Sequence, residues 1–342
     1  MAEAASGWNA IVARNAAVRF VDINLRGIGQ VIFQNNPLTG LIFLAGIAWG
    51  AYAAGQPVIA VAAVVGVVVA TITAILLRVD EASLRQGLFG FNGVLVGCAV
   101  ATFVAAPAMW LLVIVGAAVS TVAMLAVANV MKTWGTPALT FPFVLTTWFL
   151  VLAAYPFGAF TLEGVRPQGF IRSTPAEPLL VPMLDASTAS LVEAWLKGPA
   201  QVFLADDWIS GLLVVAGLAV SSLWAALLAL VGSAVGVLTP LALGAGVVDI
   251  DEGLFGFSAV LTAIALGCTF YQPGARVLAF MLLGTVFTVI VQAALDTALS
   301  PVGVPTFTAP FVFVTWLFLL PKADLKPHPH APIENGLVGR GS

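Results

Sequence analysis

Polar residues punctuate this chain rather than alternate with apolar ones. Near-continuous hydrophobic runs of about 17 to 23 residues are separated by short clusters of Gly, Pro, Asn, Asp and Arg. The first run of this kind is preceded by a mixed stretch, Ala16 to Gln30, in which Arg19, Asp22, Asn24 and Arg26 interrupt the apolar positions. That stretch is too polar and too short to span a bilayer, and it predicts an interfacial or re-entrant helix ending near Gly27 and Gly29. Leu38–Ala54, Pro57–Leu77, Leu88–Val104 and Met109–Met131 then read as helical spans, with a charged loop from Arg78 to Gln86. A fifth segment, Phe143–Tyr155, follows the breaker-rich stretch Gly135–Pro142, and is shorter than a full crossing unless that stretch also lies in the membrane. From Phe157 to Ser187 the apolar density falls and Glu163, Arg166 and Arg172 appear, which marks a boundary.

The pattern then starts again. Thr188–Gln201 is a second semi-polar helix ending near Gly198-Pro199, and Ile209–Val248 is long enough for two spans with a break near Leu227–Gly232. Leu254–Phe270 and Arg276–Leu295 are spans, Pro301–Pro310 is a second breaker-rich stretch, and Phe311–Leu320 closes the membrane part. The repetition is visible residue by residue: Gly87-Leu88-Phe89-Gly90-Phe91-Asn92-Gly93-Val94-Leu95 recurs as Gly253-Leu254-Phe255-Gly256-Phe257-Ser258-Ala259-Val260-Leu261. Gln30-Val31 matches Gln201-Val202 at an offset of 201 − 30 = 171, the Gly-Leu-Phe-Gly-Phe copies at 253 − 87 = 166, and Thr140-x-Pro142-Phe143 matches Thr308-x-Pro310-Phe311 at 308 − 140 = 168. Five spans per copy is an odd number, so the second copy enters the membrane in the opposite sense. The expected fold is therefore all-α and integral to the membrane: ten transmembrane helices plus two re-entrant, tilted pore helices in two inverted-topology repeats. The repeats are placed at 1–165 and 185–320, followed by a flexible polar tail, 321–342, whose last residues, Gly336 to Ser342, resemble a cloning remnant.

Composition agrees with that class. Hydrophobic residues make up 61% of the 342 and charged residues 8%, with a mean hydropathy of +1.06, whereas a soluble domain carries about a quarter charged residues. The net charge of -3 gives no reason to expect a nucleic-acid partner. Met1–Asn15 contains Glu3 and no apolar core, so it does not read as a signal peptide. Cys98 and Cys268 form no metal-spaced pair and read as small buried hydrophobes.

What the spans lack narrows the chemistry. Leu38–Leu77, Leu88–Met131 and Ile209–Val248 hold no Asp, Glu, Lys, Arg or His, and the main ionisable group in any span is Asp296, near a helix end. Proton- or ion-coupled transport and ion conduction usually place charge at membrane depth. An enzyme would need a nucleophile with its base or a carboxylate pair there, and both histidines, His328 and His330, are in the tail. Passive conduction of a small neutral solute remains, and such a solute needs hydrogen-bond partners to replace water. Thr140 and Thr308 stand in what reads as a broken helix, where Pro142 and Pro310 leave backbone carbonyls of Gly135–Leu139 and Gly303–Phe307 without intrahelical partners. The alternative is a packed kink with each Thr bonded to its own backbone. Gln30 and Gln201 end the semi-polar helices and add an acceptor oxygen to a helix C-terminus. Phe91 with Leu95, and Phe257 with Leu261, are four residues apart on one helix face; flat apolar walls suit a planar solute, while lipid or core packing explains them equally well.

Taken together, Thr136-Pro137-Ala138-Leu139-Thr140-Phe141-Pro142-Phe143, Val304-Pro305-Thr306-Phe307-Thr308-Ala309-Pro310-Phe311, the run Leu25–Pro37 and the Gly-Leu-Phe-Gly-Phe-Asn motif resemble the urea transporter family. The resemblance covers residues 16 to 320 and departs where Thr136 and Val304 replace the signature Leu and where Asp206-Asp207-Trp208 replaces Asn-Asn-Pro. It implies a passive urea channel in each protomer of a homotrimer, with no cofactor, no metal and no enzymatic step. By the same resemblance Gln30 and Gln201 accept from urea amides at the outer and inner sites. Phe33, Phe91, Leu95, Val202, Phe257 and Leu261, with Val31 beside Gln30, form the slots, and Thr140 and Thr308 mark the narrow middle. Leu204 stands where the first copy has Phe33, so the slots need not be equivalent. A pore for another short amide or ammonia is the alternative. Arg14, Arg19, Arg26, Lys322 and Lys326 suggest cytoplasmic termini, and the compact chain suits a bacterial inner membrane.

Overall fold

The computed structural model describes residues 2–105, 107–164, 187–245, 247–321 and 324–329; Arg166, Arg172, Lys322, His330 and the final residues lie outside them. The described chain is helical, its only extended pairings being isolated bridges. The helices are α1 Ala2–Arg14, α2 Ala16–Gln30, α3 Pro37–Ala53, α4 Val58–Leu76, α5 Glu81–Arg85, α6 Phe91–Phe103, α7 Met109–Lys132 and α8 Phe141–Ala154. They continue as α9 Thr188–Gln201, α10 Trp208–Ser221, α11 Leu223–Ala242, α12 Val247–Asp251, α13 Gly256–Ile264, α14 Ala275–Leu299 and α15 Ala309–Leu319. A π-helical turn, Ala265–Thr269, prolongs α13, and a 3₁₀ turn, Ser300–Val302, prolongs α14.

Side-chain caps explain where several helices start. Asn15 Oδ1 accepts from Ala17 and Val18, Asn36 Oδ1 from Leu38 and Thr39, and Asp207 Oδ1 from Ser210. The Asn-Asn-Pro and Asp-Asp-Trp clusters therefore perform the same service in the two copies, and an acid at the second helix start also complements the dipole. Among the described residues four helices, α4, α7, α11 and α14 with its 3₁₀ turn, are long and apolar enough to cross a membrane. The other apolar helices are α3, α6, α8, α10, α13 with its π turn, and α15.

Several sequence boundaries shift. The break expected near Leu227–Gly232 falls instead at Ser222, whose Oγ caps α11 by accepting from Ala225; small residues in a helix interior did not end it, and a capping hydroxyl did. Pro199 sits inside the last turn of α9 rather than stopping it. The loop Arg78–Gln86 contains α5, capped by Asp80 Oδ2 accepting from Ser83 and crossed by an Arg85–Glu81 ion pair. The segment 324–329 of the expected flexible tail is docked: Gln272 N donates to Lys326 O and His328 N to Phe270 O, each at 2.9 Å. In the first copy Ala105 N donates to Thr161 O and Glu163 N to Phe103 O, also at 2.9 Å. These two pairings follow α13 and α6 respectively, so the region read as a plain boundary begins with an anchored strand-like segment.

α3 and α10 pack antiparallel through two reciprocal hydrogen bonds. Thr39 Oγ1 donates to Gly217 O at 2.8 Å and Ser210 Oγ to Gly46 O at 2.9 Å. The partners are equivalents of one another, since 210 − 39 = 171 and 217 − 46 = 171. Contacts in which i meets j and the counterpart of j meets the counterpart of i are what a local two-fold relation produces.

Candidate functional site

Each semi-polar helix ends in a tight turn that cannot continue. After α2, Gln34 N donates back to Gly29 O, with Phe33 at φ 60°; after α9, Ala205 N donates back to Ala200 O, with Leu204 at φ 59°. Left-handed φ at a bulky residue is costly, and its recurrence at matched positions shows that the packing imposes it. The turn brings Phe33 edge-on to two rings from the second copy, Phe270 and Phe311, with centroids 5.9 Å and 6.1 Å away.

Both terminal glutamines are anchored alike. Gln30 Nε2 donates to Gln86 O at 2.9 Å, and Gln201 Nε2 to Glu252 O at 2.8 Å. Those carbonyls immediately precede the Gly-Leu-Phe-Gly-Phe copies. With each amide nitrogen tied, Oε1 is the atom each glutamine has left to accept. Val31 and Val202, the next residues, are buried. The surroundings differ in charge: Arg26 pairs with Asp22 near Gln30, whereas Asp206, Asp249 and Glu252 gather near Gln201, relieved by a Lys197–Asp206 ion pair at 2.9 Å. Partial burial and then the charges of Asp206 and Asp249 push the Glu252 carboxyl above its ordinary range, with Lys197 opposing.

The glycines of the repeated motif let the semi-polar helices lie directly on it. Gly87 and Gly253 take φ 75° and 71°. A Cβ on Gly27 would lie 3.2 Å from Gly90 Cα, and one on Gly256 2.7 Å from Gly198 Cα, so side chains there would force the elements apart. Phe91, Leu95, Phe257 and Leu261 are buried, the two leucines completely. The structure places each Phe–Leu pair on its own helix, and no ring contact joins Phe91 to Phe257 among the described residues.

The centre of the molecule is where the breaker-rich stretches meet. Thr140 and Thr308 are each 3% exposed, and their hydroxyls lie 2.6 Å apart. The sequence reading of a broken helix is corrected here. Thr140 and Thr308 are N-cap residues, with Pro142 and Pro310 in the first turns of α8 and α15, where a missing N–H costs nothing. The preceding residues, Leu139 and Phe307, hold φ 53° and 48°. The expected rows of free carbonyls are also partly occupied, each by an aromatic donor from the other copy. Trp316 Nε1 donates to Pro137 O at 2.8 Å, and Trp148 Nε1 to Pro305 O at 2.9 Å. These tryptophans are equivalents, 316 − 148 = 168, as are the prolines, 305 − 137 = 168. Sequence reasoning passed over them because a Trp in a membrane helix ordinarily reads as an interfacial anchor; their matched spacing from the Thr-x-Pro-Phe copies was the available signal. Tyr155 Oη adds a bond to Gly303 O at 3.0 Å.

Apolar membrane helices, matched turns and a hydroxyl pair set between two short helices define a multi-pass helical membrane protein of the transporter class. Comparison with known proteins specifies it. The family model "UT: Urea transporter" matches residues 21–323. The chain is 32% identical over 308 residues to urea transporter 1 of Ovis aries, and 33% identical over 311 residues to urea transporter 1 of Capra hircus, covering 89% of this chain and 77% of each relative. It is 30% identical over 307 residues to urea transporter 1 of Rattus norvegicus, with the same coverage. The chain belongs to the urea transporter family, a family of transporters rather than enzymes, and it carries urea across the membrane.

Proposed function

We propose that urea crosses by facilitated diffusion along a pore at the interface of two inverted five-helix repeats, residues 1–165 and 185–320. Helices α2 and α9 would enter from opposite faces, and the other apolar helices would supply ten spans. Length supports this: at 1.5 Å per residue α8 is about 21 Å long and α15 about 16 Å, against a hydrocarbon core of about 30 Å. The breaker stretches would then lie at membrane depth, where irregular backbone is tolerated only inside protein or along a cavity. The reciprocal bonds between α3 and α10 and between the Trp–Pro pairs are what an inverted repeat would generate.

In this reading Gln30 Oε1, beside Val31 and Phe33, accepts from urea N–H at one mouth, and Gln201 Oε1, beside Val202, does so at the other. Phe91 with Leu95 and Phe257 with Leu261 hold the planar molecule between flat walls that offer a hydrated ion nothing. Urea sheds most of its water at the centre, where Thr140 and Thr308 take over its hydrogen bonds. The observation that carries the proposal is the buried hydroxyl pair at equivalent positions, since two tandem copies bring the same residue to one point only near a shared axis. The family resemblance extends the proposal to a homotrimer in the lipid bilayer, and the basic residues Arg14, Arg19, Arg26 and Lys326 to cytoplasmic termini, in a bacterial inner membrane. Stopped-flow shrinkage of proteoliposomes in a urea gradient tests it. Urea flux above that of empty liposomes, unchanged by ion or proton gradients, is expected; a requirement for such a gradient overturns the passive mechanism.

A further inference from the structure

The two helices that begin at the central threonines are built alike but held in place by different means. In the first copy Asn92, fully buried on α6, accepts from Phe143 N at 3.1 Å through Oδ1. Its Nδ2 approaches Met124 Sδ on α7 at 3.6 Å. Phe143 is the third residue of α8, so Asn92 satisfies one of the amides left free at a helix start and ties α6 to the element that carries Thr140.

The second copy has lost that tie. Its equivalent residue, 92 + 166 = 258, is a serine, one atom group too short for the same reach, and Ser258 Oγ is buried without a hydrogen-bond partner among the described residues. The polar group has instead moved to the facing helix. At the equivalent of Met124, 124 + 168 = 292, stands Gln292, and at that of Ala128, 128 + 168 = 296, stands Asp296. Gln292 Nε2 donates to Asp296 Oδ2 at 3.0 Å and Oδ1 at 3.2 Å, and to Thr306 Oγ1 at 2.7 Å. Thr306 is 3% exposed and lies two residues before Thr308; its first-copy equivalent is Ala138. Gln292 and Thr306 are buried while Asp296 stands at the exposed edge of the group, and four substitutions that change together at one location imply replacement of one fastening by another.

We infer that Gln292 and Asp296 are positioning residues for urea permeation: acting through Thr306, they hold Thr308 opposite Thr140, in place of the helix-start anchor that Asn92 supplies to the first copy. This rests on the reading of Thr140 and Thr308 as the middle of the pathway. Asp296 fixes the Gln292 amide with its nitrogen toward Thr306, and the amide in turn fixes the loop that presents Thr308. No ionic coupling to transport follows, because neither residue is placed on the route of the solute.

The test is urea flux in proteoliposomes made from the full chain, with size exclusion and thermal melting as folding controls. Thr306→Val and Asp296→Leu are expected to lower maximal urea flux on the order of tenfold, the effect of a lost hydrogen bond of the charged-group kind. Asp296→Asn, which keeps an acceptor for Gln292 Nε2, is expected to stay within about twofold of the native chain on the same grounds. Asn92→Ser should impair flux as Thr306→Val does. The decisive variant is Ser258→Asn, which rebuilds the first-copy anchor: combined with Thr306→Val it should restore most of the lost flux. Native flux in Thr306→Val overturns the inference, as does an impaired Thr306→Val that Ser258→Asn leaves unimproved while both proteins melt like the native chain. If the native chain itself shows no urea flux, the pore reading fails instead, and the melting-temperature rescue still reports on the fastening.

Discussion

Replacing the central hydroxyls separates their contribution to folding from their contribution to conduction, because the two effects run in different orders. Thr140 and Thr308 hydroxyls lie 2.6 Å apart, and each residue is 3% exposed. Valine keeps the branched shape and removes only the oxygen. In Thr140→Val the hydroxyl of Thr308 loses its partner, and a buried unsatisfied polar group costs about 1–3 kcal/mol. In the double variant no orphan remains, so its stability should return toward that of the native chain rather than fall by the sum. Conduction should behave otherwise. If each hydroxyl replaces one water bond on urea at the barrier, worth about 1 kcal/mol, one valine lowers flux roughly fivefold and two lower it about thirtyfold. Stopped-flow urea flux at constant reconstituted protein, set against melting in detergent, therefore gives opposite rankings for the single and double variants. Native flux in the double variant, or melting losses that simply add, would refute a shared hydrogen bond on the permeation path.

Other expectations follow from the same geometry. Trp148→Phe and Trp316→Phe each remove one indole donor from a proline carbonyl at 2.9 Å and 2.8 Å; each should cost about 1–2 kcal/mol of stability in detergent melts, and a large effect from only one of them would contradict the paired brace. Gln30→Leu and Gln201→Leu should each lower urea flux at least severalfold with little change in melting, since one hydrogen bond at about 1 kcal/mol corresponds to a factor of about five; unchanged flux in both would remove the glutamines from the pathway. The Glu252 carboxyl is raised above its ordinary value by burial and by Asp206 and Asp249. The folded state then holds this proton more tightly than the unfolded state, so the contribution is present at low pH and is lost as pH rises through the elevated value. Glu252→Gln should flatten that fall in melting temperature between mildly acidic and neutral pH; an unchanged slope would mean that the carboxyl does not contribute.

The fold class and much of the candidate site are readable because a bilayer imposes simple demands. Apolar length and helix-breaking clusters marked most of the apolar helices to within a few residues, and the duplicated Gln30/Gln201 and Thr140/Thr308 pairs stand where the structure places matched turns and a direct contact. Misreadings came where local chemistry overrides pattern. Ser222 divided the apolar run by capping the start of α11, although the run continued through. Pro142 and Pro310 read as helix breakers in isolation, but a proline in the first turn is a starter, and only the left-handed Leu139 and Phe307 before them reveal which applies.

What the sequence concealed is the part that depends on contacts between the copies. The carbonyls of Pro137 and Pro305 seemed free because their donors, Trp316 and Trp148, lie 179 and 157 residues away. That changes the physics expected of the pore. A row of unpaired carbonyls would bind N–H donors tightly and retain them, whereas one carbonyl in each row is already committed to an indole, which leaves fewer acceptors beside the glutamine oxygens and threonine hydroxyls of the proposed pathway. A conducted solute must find enough hydrogen bonds to shed water and too few to stay. Under the proposed pathway the tryptophans would serve that balance by taking one acceptor out of play in each copy. On this account the Trp148→Phe and Trp316→Phe variants that still fold should hold urea longer at the centre. Flux in them should saturate at lower urea concentration than in the native chain, and an unchanged or higher half-saturation concentration would show that the freed carbonyls do not face the pathway.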